Sequence, residues 1–194
     1  MKEKSSENFL NQLSAVENTL EKIDEKDEEL YNFVKEKSEK LEPKAKELIK
    51  IYTDISRIAQ REFNTEEVID KKLLVERSKT FKDITAQIFE KLRSYLTTLP
   101  EEEAKNTENF LINLAEESEA IEKDAANIKV ENKEGMEILN EAMVSVLYGL
   151  RNLAEDLYEA NLYEKDNPDH NNLPEEIPKK ISQIYKNKER KTNI

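Results

Sequence analysis

The sequence predicts an all-α fold, an antiparallel bundle of about five long helices with coiled-coil-like heptad seams and a short C-terminal helix. Two observations support this prediction. Apolar residues recur every 3.5 positions over most of the chain, which places them along one face of a helix. The 194 residues include only two glycines and five prolines. A β-sandwich or a doubly wound α/β fold needs many more turn residues.

The clearest pattern is a helical hairpin at Ala104–Tyr163. Each half carries a stripe of mostly apolar residues spaced alternately four and three apart. The connection of six residues, 129–134, has a length that suits neighbouring antiparallel helices. The two stripes consist of Thr107, Leu111, Leu114, Ser118, Ile121, Ala125 and Ile128, and of Met136, Leu139, Met143, Val146, Leu150, Leu153 and Leu157.

Two helices are expected before residue 64. The first begins near Ser5 or Ser6, and its apolar seam is interrupted by Asp27, which should weaken it there. Pro43 suits the first turn of the second helix, because its missing N–H would have no partner at that position. The wide stripe of this helix predicts contact with two neighbours. The seams are Phe9, Leu13, Val16, Leu20, Ile23, Leu30, Val34 and Leu41, then Ala45, Leu48, Ile49, Ile51, Tyr52, Ile55, Ile58, Ala59 and Phe63.

A third helix is expected over Val68–Leu99, followed by a capping box. Thr98 and Glu101 stand three residues apart, so that each side chain could satisfy a backbone N–H of the other. In the second half of the hairpin, Ser145 and Gly149 lie one turn apart, and these small residues predict a close approach of a neighbouring backbone.

Residues 1–166 are therefore expected to form the helical bundle, 167–175 a loop, and 176–194 a short helix with a basic tail. The loop is indicated by the run of asparagine and aspartate at Asp166–Asn172. The final helix is indicated by Leu173, Ile177, Ile181 and Ile184.

Charge is spread unevenly along the chain. The net charge is −12, with +5 after Pro178 and −17 before it. The acidic body disfavours nucleic acid and anionic membranes as partners. No apolar run approaches the ~18 residues of a transmembrane helix. The first six residues lack the apolar core of a signal peptide. The chain is thus cytoplasmic, or it belongs at the cell surface or outside the cell if Met1 replaces a removed signal.

Catalytic and metal-binding patterns are not found. The chain has no cysteine and one histidine, His170, which lies in the predicted loop. A di-iron bundle needs Glu-x-x-His pairs, and the loop after Asp166 lacks the ligand spacing of an EF-hand. Neither a Gly-x-Ser-x-Gly elbow nor a phosphate-binding glycine loop is present. We therefore expect no enzyme activity, no cofactor and no metal site.

The composition of two segments carries a resemblance. Tyr31–Ile58 and Asn106–Lys129 form helices rich in lysine, glutamate, asparagine and isoleucine, and tryptophan is absent. In these features the chain resembles the helical surface lipoproteins of Borrelia-type spirochaetes. The resemblance implies a small antiparallel bundle that binds a host protein, such as a complement regulator, and is surface-exposed or secreted. The alternative is an intracellular coiled-coil adaptor or scaffold, encoded by a plasmid or a phage.

A candidate site for a protein partner lies at the tip of the hairpin. Loops offer selective contacts that core-forming helix faces do not, and this connection surrounds a small apolar side chain with polar ones. The candidate residues are Lys129, Val130, Glu131, Asn132 and Lys133. The alternative is that the segment only connects two helices. Phe33, Phe89 and Phe110 flank the seams and could also be anchors. A monomer is expected rather than a dimer, because Asp27 is unfavourable at a dimer seam.

Overall fold

The computed structural model describes residues 25–63, 69–163 and 173–189. This part of the chain is helical, contains no strand and confirms the all-α bundle. A π-helical turn, Ala59–Phe63, extends the second helix, and a 3-10 turn, Leu96–Thr98, precedes the fourth. The helices are α1 Glu25–Lys37, α2 Pro43–Ile58, α3 Lys71–Arg93, α4 Glu101–Asn127, α5 Lys133–Tyr163 and α6 Leu173–Glu189.

Helix α5 is at the centre of the bundle and packs against α2, α3 and α4. It is buried on two sides. One side is the predicted stripe, and the other was not predicted. Near the two ends of the interface with α2, Asn140 contacts Phe63 and Arg151 lies over the ring of Tyr52, so the two helices run antiparallel. The additional buried positions are Asn140, Leu147, Ala154 and Tyr158.

Helix α4 runs antiparallel to α3 as well as to α5. An ion pair joins Lys82 to Glu122 at 2.6 Å, and the buried hydroxyls of Thr85 and Ser118 are 3.0 Å apart. The predicted hairpin is therefore formed, but its two helices make their most extensive contacts elsewhere. Helix α4 packs mainly on α3, and α5 packs mainly on α2.

The predicted core faces agree with the structure. All fourteen stripe positions of the hairpin are buried or half-buried. Every apolar position named on α2 and its π-helical extension is buried. Because α2 packs against both α5 and α6, the two neighbours inferred from its wide stripe are confirmed. Pro43 is the first residue of α2, as expected.

Asp27 lies in the seam, as the sequence predicted, and it has a charged partner there. It is only 1% exposed, and its carboxylate lies 3.4 Å from the guanidinium of Arg57 on α2, which is 2% exposed. The buried charge is therefore compensated, and Leu30 and Val34 remain buried beside it. The predicted seam positions Phe9–Ile23 lie outside the described residues.

Three local predictions were wrong. Helix α4 has Pro100 at its N-cap position, two residues later than the predicted capping box requires, and no side chain caps it. The Thr98 hydroxyl donates to the Tyr95 carbonyl. Gly149 is covered by side chains rather than by a backbone, because a Cβ there would meet Phe110 and Leu114 at 3.6 Å. The final helix begins at Leu173, so residues 173–175 of the predicted loop are helical.

Helix α6 contains Pro178, which lacks the N–H that would bond to the carbonyl four residues earlier. That carbonyl belongs to Pro174. It accepts a hydrogen bond of 2.7 Å from the hydroxyl of Tyr52, a buried residue of α2. One side chain of α2 thus supplies the donor that proline removes from α6, and it fixes where α6 docks.

Replacing Tyr52 with phenylalanine is expected to lower the free energy of unfolding by about 1–3 kcal/mol, because a buried carbonyl loses its donor. The matched control is Tyr148→Phe. Tyr148 is a half-buried tyrosine of α5 with its ring against Arg151, and its change should have little effect. Urea unfolding of both variants makes the comparison. Equal losses in the two variants would show that the Tyr52 hydroxyl does not stabilise α6.

Candidate functional site

The part of the chain that the structure describes contains neither a candidate metal-ligand cluster nor a candidate membrane-spanning helix. No three histidine or acidic side chains there are placed to hold a metal ion. None of the described helices is long and apolar enough to cross a membrane. His170 and the rest of the asparagine-rich loop lie outside the described residues.

The connection between α4 and α5 is a tight, hydrogen-bonded turn. The backbone N–H of Ile128 still bonds to the Asp124 carbonyl at the end of α4, and the N–H of Asn132 donates to the Lys129 carbonyl at 3.0 Å. Val130 therefore occupies a corner of the turn, where 61% of its surface is exposed. The five predicted site residues are all exposed and contiguous at this tip.

One of these five residues has a structural role. The side-chain oxygen of Asn132 accepts a hydrogen bond of 2.9 Å from the backbone N–H of Gly135, as an N-cap residue does for the third residue of a helix. A Cβ at position 135 would lie 2.5 Å from the Asn132 amide nitrogen, so glycine leaves room for this cap. The sequence pattern that could have predicted this cap is an asparagine three residues before a glycine at the start of a helix.

Exposed large apolar side chains of the described residues are confined to the hairpin. Besides Val130 they are Phe110, Ile112 and Ile138. Of the three candidate aromatic anchors, Phe33 and Phe89 are half-buried and pack against the core. Phe110 is 42% exposed and partly covers Gly149. The aromatic residues thus seal the edges of the core more than they project from it.

A groove of about 330 Å³ lies at the other end of the hairpin, between the first turns of α4 and the last turns of α5. Its floor is apolar and its rim is polar, and sequence reasoning did not find it. Leu153 and Leu157 were predicted to lie in the core, but no local sequence pattern predicted a groove next to them. The lining residues are Leu99, Leu153, Leu157 and Ala160, with Glu103, Asn106, Thr107 and Asp156.

A cluster of ionisable side chains joins α1 to α2. The guanidinium of Arg57 lies 5.7 Å from the ring centre of Tyr31, and the Tyr31 hydroxyl donates to the carboxylate of Asp54. Burial raises the pKa of Asp54 above its usual range, although Tyr31 and Arg57 oppose the shift. The arrangement ties two helices together, so we interpret it as structural.

No protein-family model, curated protein or solved structure matches this chain. The assignment of function therefore depends on the surface features of the chain itself.

Stability is expected to increase as the pH falls from about 7 to about 5.5. The resolved carboxyl shifts are all upward, at Asp54, Asp83, Glu155 and Asp156, and burial is the largest cause of each. A carboxyl group whose pKa is raised by folding binds its proton more tightly in the folded state. Its stabilising contribution is present at low pH and is lost as the pH rises through the folded-state pKa.

Urea unfolding at the two pH values measures this difference. Asp54→Asn should raise stability at pH ~7 and reduce the pH dependence, because asparagine can still accept from Tyr31 and is not charged. Asp124→Asn, at an exposed position near the end of α4, is the control. The raised pKa of Asp54 would be contradicted by a stability that falls as the pH is lowered over this range. An unchanged pH dependence in Asp54→Asn would also contradict it.

Proposed function

We propose that this chain is a non-enzymatic helical binding protein, surface-exposed or secreted, that recognises a host protein through the α4–α5 tip. The observation that carries the proposal is the position of Val130. It is the most exposed large apolar side chain of the described residues, and it stands at the outermost turn of the hairpin. An exposed apolar residue surrounded by charged ones is the usual composition of a small protein-binding site.

The rigidity of the turn supports this proposal. Two hydrogen bonds hold the backbone in one conformation. The Asn132 N–H donates to the Lys129 carbonyl, and the Gly135 N–H donates to the Asn132 side chain. A turn that is already ordered loses little conformational entropy when a partner binds. Lys129, Glu131 and Lys133 are free of the core and provide charges of both signs around Val130.

A second exposed apolar residue lies near the tip. Ile138 is 56% exposed and lies roughly 8 Å along the axis from the first residue of α5. The buried stripes of α4 and α5 pack against other helices, whereas Val130 and Ile138 lie outside those stripes. The tip therefore offers apolar contacts that do not compete with the core.

The test replaces Lys129, Val130, Glu131 and Lys133 with serine and keeps Asn132 and Gly135. The melting temperature should stay close to that of the unmodified chain, since the turn hydrogen bonds and the cap are retained. The unmodified chain is used to capture a partner from host serum and, separately, from a lysate of the source cell. Binding of the serum partner to the serine variant should be weaker by about tenfold or more, as for loss of an interface hot spot.

Ile112→Ser is the matched control, because Ile112 is an exposed apolar residue of α4 far from the tip. It should bind the partner normally. Full binding by the serine variant would mean that the turn is only a helix connector. A partner recovered only from the cell lysate would favour the intracellular adaptor over the host-binding protein.

We also propose that the chain is a monomer. The described seam residues of α1 are buried against the same chain, and Asp27 is paired with Arg57 of that chain. The described part of this seam is therefore not available to a second copy. Sedimentation equilibrium should give a mass near 22.7 kDa, and a mass near twice that value would contradict the proposal.

A further inference from the structure

The outward side of the hairpin carries two exposed apolar residues, one on each helix. Phe110 of α4 is 42% exposed and lies over Gly149 of α5, where a Cβ would meet its ring at 3.6 Å. Ile138 is 56% exposed. It precedes Gly149 by eleven residues, close to three helical turns, so it lies on the same side of α5. The two apolar side chains are therefore separated by roughly 16 Å along the hairpin.

The surface of α5 between these two residues is low and open to a partner. Ala142 and Ser145 follow Ile138 by four and seven residues, which places them on the same side of the helix. Ala142 is half-buried and Ser145 is exposed. Because both side chains are small, a second helix laid along this side could contact Phe110 and Ile138 at once. An amphipathic helix on an apolar groove is a common mode of protein recognition.

The hairpin holds most of the negative charge of the chain. Residues 101–163 contain sixteen acidic and five basic residues, a net charge of −11, whereas residues 1–100 contain twenty-one acidic and nineteen basic residues, a net charge of −2. On the outward side, the exposed residues Glu117 and Asp124 follow Phe110 at intervals of seven. Within the described ranges neither forms an ion pair with a lysine or an arginine. Such a surface attracts a basic partner and repels a second copy of this chain.

We propose that this outward face binds a basic amphipathic α-helix of a protein partner. The apolar stripe of that helix would contact Phe110 and Ile138, and eleven of its residues would span the ~16 Å between them. Lysine and arginine residues beside the stripe would lie near Glu117 and Asp124. The face adjoins the Val130 tip, so this proposal names the kind of partner for the proposed function and rests on it.

The test uses a synthetic peptide of about 18 residues, built from leucine, lysine and alanine, with leucines spaced alternately four and three apart to form one apolar stripe. A second peptide has the same composition in an order that forms no stripe. Fluorescence anisotropy with the full chain should show saturable one-to-one binding of the first peptide and at least about tenfold weaker binding of the second. Equal affinities would show that the acidic surface attracts any basic peptide, and the proposal would fail.

Ile138→Ser should weaken peptide binding about tenfold, as for loss of an interface hot spot. The melting temperature should change little, because this side chain is more than half exposed. Ile112→Ser is the matched control, since Ile112 is 49% exposed and lies roughly 200° around α4 from Phe110. Equal losses in the two variants would overturn the assignment of the face.

A second pair of variants tests the charge. Glu117 and Glu119 are both exposed, but Glu119 lies on the side of α4 that faces Lys82 of α3. Glu117→Gln should weaken peptide binding about threefold, as for a surface ion pair, and Glu119→Gln should not. Equal effects of the two changes would contradict the proposed contact.

The serine variant of the tip separates this proposal from the proposed function. It keeps Phe110 and Ile138, so it should bind the peptide normally even where it loses the serum partner. Loss of peptide binding in that variant would place the peptide on the tip and overturn the outward face. A dimer of the free chain that Ile138→Ser dissociates would assign the face to a second copy and would also overturn the proposal.

Discussion

The burial of α5 on two sides is the constraint on which the rest of the bundle depends. A helix with a single apolar stripe needs one neighbour, but α5 also buries Leu147, Ala154 and Tyr158. It must therefore be covered by α2 as well as by α3 and α4. Once α2 lies on α5, its own wide stripe leaves a second face to cover, and α6 packs there. Each further helix thus covers apolar surface that would otherwise be left exposed to water.

Several polar groups between the helices each have a partner on another element. Asp27 meets Arg57, the Asn140 amide donates to the Phe63 carbonyl at 3.1 Å, and the Tyr52 hydroxyl meets the Pro174 carbonyl. Apolar burial is non-directional and does not by itself require one exact alignment of two helices. An unsatisfied buried polar group costs about 1–3 kcal/mol. These contacts therefore select one register for the helix pairs that they join.

The same packing explains why the tip and the groove lie at the two ends of the hairpin. Between its ends, the buried side of α4 is occupied by α3 and α5, and the buried sides of α5 are occupied by three helices. At one end the chain leaves the bundle in a capped turn that exposes Val130. At the other end the helices separate above Leu153 and Leu157 and leave the groove. Both features result from the way in which the other helices cover α5.

The sequence by itself determined the class of fold, the core face of α4, one of the two buried faces of α5, the start of α2 at Pro43 and the position of the tip. These are properties of local spacing, since a period of 3.5 residues defines a face before any neighbour is known. Tertiary structure alone decided which faces meet, because one apolar stripe can pair with any other. The pairing of α2 with α5, the partner of Asp27 and the groove all join residues distant in sequence. The start of α4 also differs from the local pattern, since Pro100 and not Thr98 holds the N-cap position. The Thr98 hydroxyl instead donates to the Tyr95 carbonyl and accepts from the amide of Asn161, a residue distant in sequence.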